Sequence, residues 1–106
     1  MSPRRFRIHF STEALADLRH IADFVSIDSP ANAARLTERI LDRIDTLETL
    51  PRRCARAPDC FSAEGETRHL FVSSYRIIFQ VKTDEVIIQA IRHGHQRPID
   101  RRPKPS

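Results

Sequence analysis

Three residue types near the end of the chain carry chemistry. His93 and His95 stand two apart around Gly94, in the run Arg92-His93-Gly94-His95-Gln96-Arg97. Imidazoles titrate near neutral pH and suit general acid–base work. Arg76, one residue after Tyr75, is a fork that can clamp a phosphate bidentately. The two imidazoles beside Arg92 and Arg97 would suit RNA cleavage. One imidazole would take the 2′-OH proton, another would protonate the leaving oxygen, and an arginine would stabilise the phosphorane-like charge. The plainer reading makes the histidines polar residues at a strand end or interface contacts, and Arg76 a surface charge beside a carboxylate. Arg68, Arg92 and Arg97 complete a candidate anion-binding set, with Arg68 extending a basic stripe toward Arg76 and Arg92. Its ordinary alternative is a sheet edge protected by charge.

These residues need a platform. Residues 76–82 place Ile77, Phe79 and Val81 on one face and Arg76, Ile78 and Gln80 on the other, the period of a half-buried strand. Residues 86–92 are apolar on both faces, as a central strand would be. Residues 67–72 read as a further strand. The turns at Ser73-Ser74 and Thr83-Asp84-Glu85 are too short for crossovers, so the three form an antiparallel meander. Residues 5–10 alternate as well, with Phe6, Ile8 and Phe10 facing one way.

Two helices lie between the first strand and the meander. Ser11 or Thr12 caps the first, whose apolar stripe is Ala14, Leu18, Ile21 and Val25, widened by Leu15 and Ala22. Asp28-Ser29-Pro30 stops it and starts the next, with Ser29 as N-cap and Pro30 at the first helical position. That helix runs to about Leu50, buries Ala33, Leu36, Ile40, Ile44 and Leu47, and exposes Arg35, Glu38, Arg39, Asp42 and Arg43. Pro51 ends it. Residues 52–66 read as a loop. The fold class is therefore α+β, ordered β-α-α-β-β-β, with a helical hairpin on one face of a mainly antiparallel four-stranded sheet. Residues 1–98 form one domain, and 99–106 a disordered basic tail.

Of 106 residues, 40% are hydrophobic and 30% charged, as in a soluble globular domain. No apolar run approaches a membrane span, and no secretory signal is recognisable, so the expected location is the cytoplasm. Residues 1–50 hold 7 Lys/Arg against 8 Asp/Glu; residues 51–106 hold 11 against 6. The basic excess in the second half favours an anionic partner. Cys54 and Cys60 lack a zinc spacing and read as free loop thiols. With two glycines there is no phosphate loop, and no nucleophile motif is present. No cofactor and no metal are expected.

The chain resembles the RelE/ParE toxin superfamily of bacterial type II toxin–antitoxin systems. The likeness runs through residues 16–25 of the first helix, Ser29-Pro30-Ala31-Asn32-Ala33, Ile44-Asp45-Thr46-Leu47 with Pro51, Arg68-His69-Leu70, residues 75–81, and residues 91–98. It covers all but the tail, and rests on order and spacing more than on any single motif. The resemblance implies a growth-inhibiting toxin, of the kind tied to plasmid stabilisation, that is neutralised by a cognate antitoxin as a homodimer or heterotetramer. RelE-like members cleave messenger RNA on the ribosome without metal; ParE-like members inhibit DNA gyrase and need no catalysis. Arg76 falls on the arginine of the family's Tyr-Arg-aliphatic strand, which contacts the scissile phosphate in the ribonucleases. Their C-terminal cluster falls around His93, His95 and Arg97. This chain has no tyrosine after Tyr75, where many ribonuclease members use one, and its His93-Gly94 pair is ParE-like. Gyrase inhibition is thus the leading expectation. Ribosome-dependent RNA cleavage is the alternative, and an inactive antitoxin-binding or co-repressor subunit the second.

Overall fold

The computed structural model describes residues 5–57 and 66–94. Strand β1 (Arg7–Phe10) leads into helix α1 (Thr12–Asp28), helix α2 (Pro30–Asp45), and strands β2 (Glu66–Val72), β3 (Tyr75–Val81) and β4 (Glu85–His93). The sheet order is β1-β4-β3-β2, with β1 parallel to β4 and the other pairs antiparallel. The expected meander and the central place of the last strand are both present.

The caps follow from side-chain chemistry. Ser11 Oγ accepts from the Ala14 N–H at the start of α1, and Ser29 Oγ accepts from Asn32 at the start of α2. Each satisfies one of the amides a first helical turn leaves without a partner. Helix α2 stops at Asp45 rather than near Leu50. Two 3-10 turns, Thr46–Glu48 and Pro51–Arg53, complete the connection. Within the segment expected to be a loop, Ala57 N–H donates to the Thr67 carbonyl and His69 N–H to the Ala55 carbonyl, so residues 55–57 flank β2.

The core lies between the helical hairpin and one sheet face. Ile40, Ile44 and Leu47 meet Ile77, Phe79, Val86 and Ile88, all at most 1% exposed. Each contributes about 1.5–3 kcal/mol by leaving water. Leu15, expected to widen the α1 stripe, is 54% exposed. Cys54 belongs to this core, contrary to its reading as a loop thiol; burial pushes its thiol pKa up, against the lowering effect of Arg53, Arg68 and Arg43. Cys60 lies outside the described residues.

Strand β4 contains a bulge. Ile78 pairs with Ala90 but Phe79 with Ile88, which leaves Gln89 as an extra residue. The bulge reverses the inward phase. Val86 and Ile88 face the helices before it; Ile91 and His93 do so after it. An apparently two-faced apolar strand is therefore, in large part, one inward stripe that changes parity.

On the β1 side, no strand among the described residues borders β4 beyond Phe10. The start of α1 takes over: Ser11 N–H donates to the Ile88 carbonyl, Ser11 Oγ to the Gln89 carbonyl, and the Asp17 carboxylate accepts from the Ile91 N–H at 3.0 Å.

Candidate functional site

The strand ends deliver the candidate residues to two different faces. Tyr75 and His93 are register partners on the helix side, with ring centroids 5.1 Å apart in an edge-to-face arrangement. Arg76 and Arg92 are register partners on the side turned away from the helices. Arg68 pairs in register with the buried Phe79, so it lies on the helix side, opposite to Arg76. The basic stripe from Arg68 to Arg76 and Arg92 is therefore not continuous across one face. His95 and Arg97 lie outside the described residues, as does the tail.

Each arginine has local partners. Arg68 sits against Glu66 at 2.7 Å and donates to the Cys54 carbonyl. Arg52 reaches the other Glu66 oxygen at 2.8 Å. The hydrogen bond from Arg52, then that from Arg68, holds the Glu66 carboxyl below its ordinary pKa. Arg76 Nε donates to His69 Nδ1 at 3.0 Å. Arg92 pairs with Glu13 and approaches Asp17. Two like charges opposite one another across a ladder repel; Arg92 turns toward α1 and Arg76 toward β2, which separates their heads.

Gly94 N–H donates to the Ser74 carbonyl, which ties the end of β4 to the β2–β3 turn. Its φ is not positive, and a Cβ there would meet nothing within 4 Å.

On the helix side, Tyr75 and His93 form the floor of a shallow two-part groove. One part, about 340 Å³, is walled by His20, Ile21 and Phe24 of α1. The other, about 380 Å³, is bounded by Arg35, Leu36 and Arg39 of α2 and the serines of the β2–β3 turn. Phe24 is 71% exposed beside it, and Ile27 79%. Apolar surface of this kind, joined to cationic groups, is suited to docking a macromolecule. His20, Phe24, Arg35 and Arg39 are not among the site residues expected from the sequence. The available signal was Phe24 and Ile27 standing out of phase with the α1 stripe.

Residues 8–98 match the family described as the ParE toxin of the type II toxin–antitoxin system, parDE. The chain belongs to the ParE toxin family. Among solved structures it is similar to a chain of the chromosomal ParDE TA system from P. aeruginosa, at 22% identity and a TM-score of 0.70. That match covers 86% of this chain and 98% of the other, and shows a shared fold. No curated protein matches at a significant level. As a ParE-family chain, this is a toxin of a type II toxin–antitoxin system. Among the described residues, no helix is long and apolar enough to cross a membrane.

Proposed function

We propose that this ParE-family chain arrests growth by binding DNA gyrase, without catalysis of its own, and that a cognate antitoxin neutralises it in the cytoplasm. The observation that carries this reading is the separation of Arg76 from His93. A ribonuclease built on them would need an arginine and an imidazole converging on one phosphate, within hydrogen-bond reach. Register places the two on opposite faces of the sheet. A docking surface has no such requirement. Arg76 and Arg92, which share one face, are proposed target contacts, as are Arg68 on the other face and Arg97, and the groove beside Phe24 is the proposed antitoxin seat. The toxin would form a homodimer, or a heterotetramer with its antitoxin.

RNA cleavage on the ribosome is the second reading, favoured by the match of Arg76 to the family's Tyr-Arg-aliphatic strand. In it Arg76, His93 and His95 would be catalytic. Induction of the chain without antitoxin separates the two. Under the gyrase reading DNA synthesis falls before protein synthesis in pulse-labelled cells, and His95→Ala remains toxic. Translation stopping first, with toxicity lost in both Arg76→Ala and His95→Ala, would replace it with the ribonuclease. Continued growth would leave only the antitoxin-binding subunit.

A further inference from the structure

Among the described residues, the three arginines proposed as target contacts are held in three different ways. Arg68 is built in: its largely buried side chain sits between Glu66 and the Cys54 carbonyl. Arg76 Nε donates to an imidazole nitrogen of His69. Arg92 is held by carboxylates at the surface, and its own side chain is exposed.

Both carboxylates come from α1. Glu13 and Asp17 stand four residues apart, so they share one flank of the helix, a turn from each other. They are not equivalent. The Asp17 side chain is 19% exposed, its Oδ2 accepts the Ile91 N–H at 3.0 Å, and Arg92 Nε lies 3.8 Å from that oxygen. Asp17 is thus fixed to the backbone of β4. The Glu13 side chain is 59% exposed, and among the described residues its carboxylate meets only Arg92, at Nη2. The other amino group of the fork, Nη1, meets no acceptor among the described residues.

We infer that Glu13 is a built-in counterion that masks Arg92, and that a carboxylate of the target engages this arginine by displacing it. The inference rests on the functional reading of Arg92 as a target contact. An incoming carboxylate meets the open Nη1 first, then replaces Glu13 on Nη2 and completes a bidentate pair, the stronger arrangement. Glu13 gives way readily, because an ion pair between two exposed side chains is weakly held. Asp17 stays, because it carries the Ile91 amide. The exchange is one carboxylate for another, so position rather than charge decides which is held. A masked arginine therefore rejects loosely placed anions and accepts one that the rest of the interface presents in register.

The test measures binding of the labelled full chain to purified gyrase holoenzyme by fluorescence anisotropy, between about 50 and 200 mM salt. Glu13→Gln keeps the shape of the side chain and removes its charge. It should tighten binding about two- to fivefold at the lowest salt, the scale of one exposed ion pair. The gain should shrink as salt rises, and should vanish in an Arg92→Gln background. Asp84→Asn makes the same change of charge beside Arg7, which is not a proposed contact, and should leave binding nearly unchanged. A circular-dichroism melt shows that the variants fold. Unchanged or weaker binding by Glu13→Gln would overturn the inference, as would an equal gain from Asp84→Asn, which would reduce the effect to net charge. Those results leave the functional reading standing, since the wild-type chain still binds gyrase. A wild-type chain that does not bind gyrase at the lowest salt would end that reading, and this inference with it.

Discussion

Glu66 is held ionised by two guanidinium groups, Arg52 on one oxygen and Arg68 on the other. Its folded pKa is depressed. The stability it contributes is therefore present above its unfolded pKa and is lost as pH falls through the folded one. Glu66→Gln should lower the melting temperature at pH 7, and the gap to wild type should close in acid; a gap that persists unchanged at the lowest pH would contradict the ion-pair account. Gly94→Ala should change stability by less than about 0.5 kcal/mol in a denaturant titration, because its Cβ has room and its φ is ordinary. Alkylation mapped by mass spectrometry should find Cys54 at least about tenfold slower in the native chain than in denaturant, since burial both raises its pKa and bars reagents. At this scale the sequence was a partial guide. It put Arg68 near the start of one strand, Arg76 near the start of the next, and Arg92 with His93 at the end of the last. It could not show that Arg68 would spend its charge on Glu66, or that Arg92 would meet Glu13 across a separation of 79 residues. The first pairing joins residues two apart on one face of β2; the second is set by the packing of α1 on β4, which no local pattern encodes.

The elements were more legible, because period and caps are local. Ser29-Pro30 placed the break between the helices, and Ile77 with Phe79 fixed the inward face of β3. The bulge escaped because a parity change in β4 looks, residue by residue, like a strand buried on both sides. It has a testable consequence. Deleting Gln89 would exchange the faces of residues 90–93 and drive Arg92 toward the core, so the variant should lose cooperative unfolding. Gln89→Ala keeps the extra residue and should cost under about 1 kcal/mol, because the backbone carbonyl that Ser11 reaches is retained. Asp17→Ala removes the acceptor of the Ile91 N–H, in the part of β4 that β1 does not cover. It should cost about 1–3 kcal/mol in a thermal melt.

Across the whole molecule, composition gave the sign of the charge but not its arrangement. The basic excess lies in residues 51–106, and among the described residues Arg52 and Arg68 share Glu66 while Arg92 pairs with Glu13, so three of those charges are met within the fold. The two sheet faces divide the work. Tyr75 and His93 join the groove beside Phe24, while Arg76 and Arg92 lie behind it. This division favours a protein that acts by binding over one that acts by cutting. The direct measurement is supercoiling of relaxed plasmid by purified gyrase in the presence of the full chain. Supercoiling should be blocked in proportion to added toxin, and restored by the antitoxin. Normal supercoiling at saturating toxin, with ribosome-bound messenger RNA cleaved by the same preparation, would contradict it.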